Sequence, residues 1–434
     1  MPTITVARHG RHARTVALVA ALAAAVFFPA RARTQQMEPP RFAATLGFLD
    51  TPGYLPFDER LLASLRVAPG FAISVFARPE GNARMMAVGP GNAIYLTRQQ
   101  QGDVLLLRDR DSDGRAEEVR VVASGLPLVH GVAVHDNAVY LIAPRIVWRA
   151  AILADGSLAQ PVVLIDDLPD GGQHRARNIA VGPDNRLYMT IGSTCNACQE
   201  TNPENATMLR AELDGSNRQI LARGLRHTVG FDWHPDTGQL WGFDMQADWR
   251  GNTIPPEELN RIQEGGHYGW PYCFADRRID RWLNVAPPGQ SRAAFCAATV
   301  PPALTYTAHS SPIGFAFYTG SQFPAAFRGD AFVALRGSWN RTPPVGYKVV
   351  RVHFEDGVPV RVEDFVTGFL VDPARRRAVF GNRDTEFTPP LPGQSYFFAR
   401  LTGLIVAPDG ALLVADDTNG VIYRIAARAP RGGS

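Results

Sequence analysis

An all-β, six-bladed β-propeller is the fold this sequence predicts, and three observations predict it. Six segments share one pattern: an apolar strand, a turn carrying Gly, Asp or Asn, and a second strand ending in small or polar residues. They begin at residues 85, 131, 178, 230, 314 and 403, so successive starts lie 46, 47, 52, 84 and 89 residues apart. The shorter spacings suit four-stranded blades, and the two longer ones suit a blade plus an insertion. Beyond the N-terminal leader no long apolar pattern of period 3.6 occurs; PPEELNRI (255–262) makes at most a short helix. Strands near 70–77 (GFAISVFA) and 420–426 (GVIYRIA) can share a blade and close the ring. A two-sheet sandwich is the runner-up, but it does not need six copies of one unit.

Taken in order, residues 1–33 read as a secretory signal. Arg8, Arg11 and Arg14 precede the apolar run Thr15 to Phe28, and Ala30-Arg31-Ala32 fits a small-x-small cleavage site. Residues 34–65 form an N-terminal segment, 66–426 the propeller, and 427–434 a tail. The repeats are MMAVGPGNAIYLT, GVAVHDNAVYLIA, NIAVGPDNRLYMTIG, GFDWHPDTGQLWGFD, GFAFYTGSQFPAAFRGDAFVALRG and GLIVAPDGALLVADD. Each pairs alternating apolar residues with a turn that tolerates unusual backbone angles.

Composition limits the partners. The 434 residues are 45% hydrophobic, enough for a full core, and a net charge of +3 gives no reason to expect nucleic acid. The four cysteines fit an oxidising compartment, periplasmic or secreted, with Cys195–Cys198 and Cys273–Cys296 as the simplest pairs. A zinc or redox CxxC is the competing reading; a single CxxC without a second is a weak zinc signal.

In a propeller, loops from different blades converge at one end of the axis. His174 stands just before the third repeat, beside Arg175 and Arg177, whose charges would keep it neutral as a base requires. Arg226, Arg336 and Arg400 hold corresponding loop positions in three blades and, if they converge, make a pocket for a multiply anionic ligand. Gln100 ends the first repeat and can donate to the same pocket. The loop from Asp244 to Glu258, with Tyr268 beyond, is rich in oxygen ligands. Asp109, Asp111, Asp113 and Glu117 have calcium-loop spacing, but Arg120 replaces the closing acid, leaving calcium and an ion-free turn both open. Asn205-Ala206-Thr207 is a formal glycosylation sequon. No nucleotide-binding glycine motif is present, which argues against nicotinamide and nucleotide chemistry.

The strings IGSTCNAC, VGFDWHP, PPEELNRI, GGHYGWPYC and GSWNRTPPVGYKVVRV resemble the soluble quinoprotein glucose/sorbosone dehydrogenases, most closely the L-sorbosone branch, over about residues 66–426. The resemblance implies a propeller that binds pyrroloquinoline quinone (PQQ) and Ca2+. It also implies a sugar or aldehyde substrate, an external electron acceptor such as a quinone or cytochrome, and no stable membrane insertion. By the same resemblance His174 is the general base, and Gln100, Arg226, His227, Arg336 and Arg400 bind the cofactor. Gln246 and Ala247 offer carbonyls to one calcium, and Glu258 and Tyr268 hold a second. Three places depart from the family pattern: Ser193 replaces the Asp that orients the base, His227 replaces an Asn, and Met245-Gln246-Ala247 replaces Asn-Gly-Arg. A calcium-dependent lactonase-type propeller and a non-catalytic carbohydrate- or protein-binding propeller are the rival classes; a PQQ chromophore separates both from the dehydrogenase.

Overall fold

The computed structural model describes residues 51–380 and 394–428. The expected signal segment lies outside the described residues, as do most of the tail and the early part of the N-terminal segment. Among the described residues there are six sheets of four or five antiparallel strands. Sheet 1 runs from Ala83–Val88 to Glu118–Ala123, sheet 2 from Gly131–His135 to Val162–Ile165, and sheet 3 from Ile179–Val181 to Gln219–Arg223. Sheet 4 begins with Thr228–Trp233 and ends with Leu304–Tyr306; sheet 5 spans Pro312–Phe317 to Val358–Thr367. Sheet 6 comprises Leu401–Val406, Leu412–Asp416 and Ile422–Ala427, and its fourth strand is Phe71–Ala77. The two ends of the chain therefore meet in one sheet, as the sequence predicts.

All six repeats form the first two strands of a sheet. Neighbouring sheets touch in a closed cycle near the axis, with sheet 6 returning to sheet 1. Both faces of each sheet are covered, so the strands alternate between two different cores. Ile94 and Leu96 pack towards sheet 6, whereas Tyr95 packs towards sheet 2. Leu240 faces sheet 3, whereas Trp241 and Phe243 face sheet 5. Close approach at the axis explains two repeat-initial glycines. A Cβ at Gly314 would lie 2.3 Å from the Thr402 carbonyl oxygen, and one at Gly403 would lie 2.4 Å from that of Arg84.

One expectation fails. Residues Glu257–Arg261 form the third strand of sheet 4, not a helix. Their helix-favouring residues are overridden by pairing on both sides, with Leu240–Asp244 and with Leu304–Tyr306. The insertion that follows carries a short hairpin (Cys273–Phe274, Arg278–Ile279) and the helix Arg292–Ala297, before the chain returns to sheet 4. The Cys273–Cys296 disulfide ties hairpin to helix, with Cα atoms 5.9 Å apart.

Register decides which loops share an end of the ring. The entries to first strands and the turns between second and third strands lie together at one end. The turns joining first to second and third to fourth strands lie at the other. His174, Gln100, Arg226, Arg336, Arg400 and the 245–256 loop all fall at the first end. The Asp109–Glu117 loop falls at the opposite end, where its carboxylates cluster and accept backbone N–H groups of the loop.

Candidate active site

His174 is half-buried where the 173–174 backbone pairs with 193–194. Its Nδ1 lies 3.0 Å from the Ser193 carbonyl oxygen and 2.7 Å from Ser193 Oγ. A carbonyl can only accept, so Nδ1 carries the proton and Nε2 keeps its lone pair. Ser193 Oγ donates to the Cys195 carbonyl at 2.8 Å, which leaves the hydroxyl oxygen free to accept from His174. Burial pulls the His174 pKa down to about 3, and the Arg226 charge adds to this. Neutrality thus comes from burial and Arg226. Arg175, invoked from the sequence, is exposed, and Arg177 is fully buried and donates to the Pro169 carbonyl. The His227 ring sits 4.8 Å from that of His174, held well below its ordinary pKa by burial first, then by the adjacent His174 ring and by Arg226. Its Nδ1 is buried without a hydrogen-bond partner.

Arg226 is used differently from what the resemblance implies. It is 3% exposed, and its guanidinium donates to Asn196 O (3.0 Å), Asn196 Oδ1 (2.9 Å), Asp248 Oδ2 (3.0 Å) and Met245 O (3.1 Å). Four of five N–H donors are therefore satisfied inside the protein. Around it stand buried carboxyls. Asp244 accepts from the Arg226 and His227 amides, Thr228 Oγ1 and Gln246 Nε2. Glu257 accepts from the Gln246 and Ser311 amides, and burial raises its pKa to about 8. Glu258 is 1% exposed; its Oε1 accepts the Ala275 amide, its Oε2 has no partner, and burial raises it well above the usual range. Asn260, two residues along the same strand, is fully buried with both amide atoms unpartnered. Gln246, Ala247 and Tyr268 are buried too; the Tyr268 hydroxyl donates to the Arg261 carbonyl at 2.5 Å and accepts the Gln263 amide at 2.8 Å.

Across the axis, Arg336 and Arg400 do converge. Arg400 Nη2 donates to the Gly337 carbonyl (2.8 Å), and Arg336 Nη2 pairs with Asp417 at 2.7 Å. Sequence reasoning missed the rest of this cluster. Asp417 also pairs with the buried Arg84, whose Nη2 lies 2.8 Å from His130 Nε2; His130 Nδ1 in turn reaches the Arg177 carbonyl at 2.7 Å. Burial pushes the Asp417 carboxyl up, but Arg336 and Arg84 outweigh it and hold it low. Burial lowers Arg400 to about 10. A signal for these residues was present: Arg84, His130 and Arg177 each immediately precede a repeat, at the same position relative to the axis. Gln100 is exposed at its turn.

The Cys195–Cys198 disulfide (Cα–Cα 6.2 Å) closes the loop beside His174. Its pairing agrees with the disulfide reading and leaves no thiolate pair to hold zinc. Asn205 of the formal sequon is buried, with Nδ2 on Glu200 at 3.1 Å, which makes it a poor acceptor for a glycan.

The TrAA12-like family model matches residues 65–428. An uncharacterised protein of Borreliella burgdorferi is 31% identical over 257 residues, 58% of this chain and 60% of that protein. The quinoprotein glucose dehydrogenase B of Acinetobacter calcoaceticus is 28% identical over 147 residues, 26% of this chain and 29% of the enzyme. The pyrroloquinoline quinone-dependent pyranose dehydrogenase of Coprinopsis cinerea is 40% identical over 310 residues, 60% of this chain and 41% of the enzyme. The alignments thus span less than two thirds of each relative. Two solved structures share the fold at a TM-score of 0.68. The holo pyranose dehydrogenase PQQ domain from Coprinopsis cinerea is 20% identical, covering 87% of this chain and all of that one. The calcium structure of the Trichoderma reesei family AA12 enzyme is 18% identical, covering 88% and 98%.

Proposed function

We propose, from the premise that the chain belongs to the TrAA12-like family, that it is an exported PQQ- and calcium-dependent dehydrogenase. Its substrate would be an aldose, a sorbosone-like aldehyde or a related sugar, and an external acceptor would take the electrons. One observation carries the reading: a neutral His174, with its free lone pair on Nε2, stands at the same end of the ring as an arginine cluster that carries more positive than negative charge.

The residues present fit both groups. Arg84 and Arg336 pair with Asp417, Arg400 lies beside them, and burial raises the neighbouring Asp416 to about 7, so the cluster is suited to a polycarboxylate. The unpartnered Glu258 Oε2, buried beside Asn260, suits a hard cation that would keep the carboxylate ionised. Arg336, Arg400 and Gln100 would hold PQQ, with His227 at its edge. The Gln246 and Ala247 carbonyls would hold one calcium, and Glu258 with the Tyr268 carbonyl would hold a second. Bound PQQ supplies a two-electron acceptor for hydride and a set of carboxylates that answers the arginines. His174 Nε2 takes the proton of the sugar's anomeric hydroxyl, or of a hydrate hydroxyl where the substrate is an aldehyde, the Ser193 carbonyl and hydroxyl keep Nδ1 protonated, and Arg226 stays turned into the protein as a positioning residue. The two disulfides are consistent with an oxidising, extracytoplasmic compartment. Among the described residues no helix is long and apolar enough to cross a membrane.

The test is PQQ titration into the calcium-replete mature chain, followed by a dye-linked assay on aldoses and aldehydes. A saturable chromophore that sugar bleaches is expected; a folded, calcium-loaded protein that binds no PQQ overturns the reading. His174→Ala should lower kcat by about 10²–10⁴-fold while PQQ affinity holds.

A further inference from the structure

We infer that the Cys195–Cys198 loop is the positioning element of the His174 site, with Asn196 as its central residue. The inference deepens the proposed base role of His174, but it concerns contacts that exist before any cofactor arrives.

Two residues of this short ring, Cys195 and Asn196, bond into the site. The Cys195 carbonyl accepts the Ser193 hydroxyl proton at 2.8 Å, and so commits that hydroxyl to accepting, not donating, towards His174 Nδ1. Released from Cys195, the hydroxyl can donate to Nδ1, which favours the tautomer whose Nε2 bears the proton and has no lone pair for a base. Asn196, next along, ties down the other neighbour. Its Oδ1 accepts from Arg226 Nη2 (2.9 Å) and from the Asp248 amide (2.8 Å), and its Nδ2 donates to the Asp248 carbonyl (3.0 Å). Its backbone carbonyl accepts from Arg226 Nε (3.0 Å) and Trp270 Nε1 (3.2 Å). One amide thus locks the guanidinium inward and joins sheet 3's loop to the 245–250 loop of sheet 4. Glu200 anchors the ring from outside, accepting from the Thr194 amide and hydroxyl at 2.6 and 2.7 Å. A disulfide between residues three apart closes too small a loop to add much through chain entropy, at most about 2 kcal/mol. Its larger consequence here is geometric.

The experiment uses the PQQ-free mature chain with 15N-labelled histidine at neutral pH. The native protein should show His174 as the Nδ1–H tautomer. The double variant C195S/C198S should show a mixture with the Nε2–H form, and on loading with PQQ its kcat should fall about 10–100-fold. Ser193→Ala should keep the native tautomer, because the carbonyl bond remains, and C273S/C296S should keep it too. An unchanged His174 tautomer in a folded C195S/C198S protein overturns the inference. If that variant does not fold, Asn196→Ala decides with the disulfide intact. The Asp248 amide should exchange with solvent at least about tenfold faster than in the native protein, and an unchanged rate overturns the inference. Because the tautomer and the exchange rate are read without PQQ, failure of the cofactor reading leaves this test standing.

Discussion

The two sides of the axis handle charge in opposite ways. On the sheet 3–sheet 4 side one arginine, Arg226, is surrounded by Asp244, Asp248 and Glu257, its donors are nearly all engaged, and Glu258 is buried next along the strand. On the side formed by sheets 5, 6 and 1, Arg84, Arg336 and Arg400 share the single low-pKa carboxylate of Asp417. The first side holds surplus acid in a dry setting and suits a cation. The second holds surplus base and suits an anion. The contrast teaches that arginines at matching repeat positions need not act alike, because the carboxylates within reach of each decide what it does.

The largest effect should come from breaking the arginine side. Asp417→Ala leaves Arg84 buried and unpaired, and should cost about 3–5 kcal/mol in denaturant unfolding. A loss below about 1 kcal/mol would mean that Arg84 escapes to solvent and the cluster is not a closed unit. Next comes the pH dependence. The Asp416 pKa is raised from 3.8 to about 7 by burial, so its contribution to stability is fully present below the unfolded value and is lost as pH rises towards 7. Asp416→Asn should therefore remove on the order of 3 kcal/mol of the native decline between pH 4 and 8. Unfolding curves at the two pH values check this, and parallel declines in both proteins would refute it. The acid side is sharpened by calcium. With calcium at about a hundred times its Kd the native chain should gain about 2.7 kcal/mol, and Glu258→Gln should lose most of that gain. An equal calcium shift in both would remove Glu258 from the metal site. The smallest effect belongs to Asn196→Ala, about 1.5–3 kcal/mol through the lost bond to a charged guanidinium.

Much of the architecture was readable because a strand covered on both faces reads as a short apolar run, and turn residues mark where each run stops. The six repeats became the inner strand pairs, and the far-apart segments near 71 and 422 paired as expected. Residues 255–262 misled because local helix preference says nothing about the two strands that flank them in space. His174 was visible from its place before a repeat and from the family resemblance. Its tautomer was not, since the Ser193 carbonyl that holds the Nδ1 proton is brought to the ring only by folding, as is the Cys195 carbonyl that takes the Ser193 hydroxyl proton. Arg84 and His130 went unnoticed because each finds its partner in a different sheet, far away in the sequence. Arg226 looked like a ligand-binding cation because its tie to Asn196 joins residues in different sheets.

The shared sheet at the ends of the chain also orders events in time. Phe71–Ala77 has no sheet of its own until Ile422–Ala427 arrives, so the ring remains an open arc while the intervening sheets form. Such late, long-range pairing slows folding and leaves an unpaired strand edge able to join another chain. A polypeptide that crosses a membrane unfolded meets this condition naturally, because the latch can shut only after its last strand has emerged. Damage to either latch strand should thus show first as aggregation during production, before any loss of catalysis in the molecules that succeed in closing.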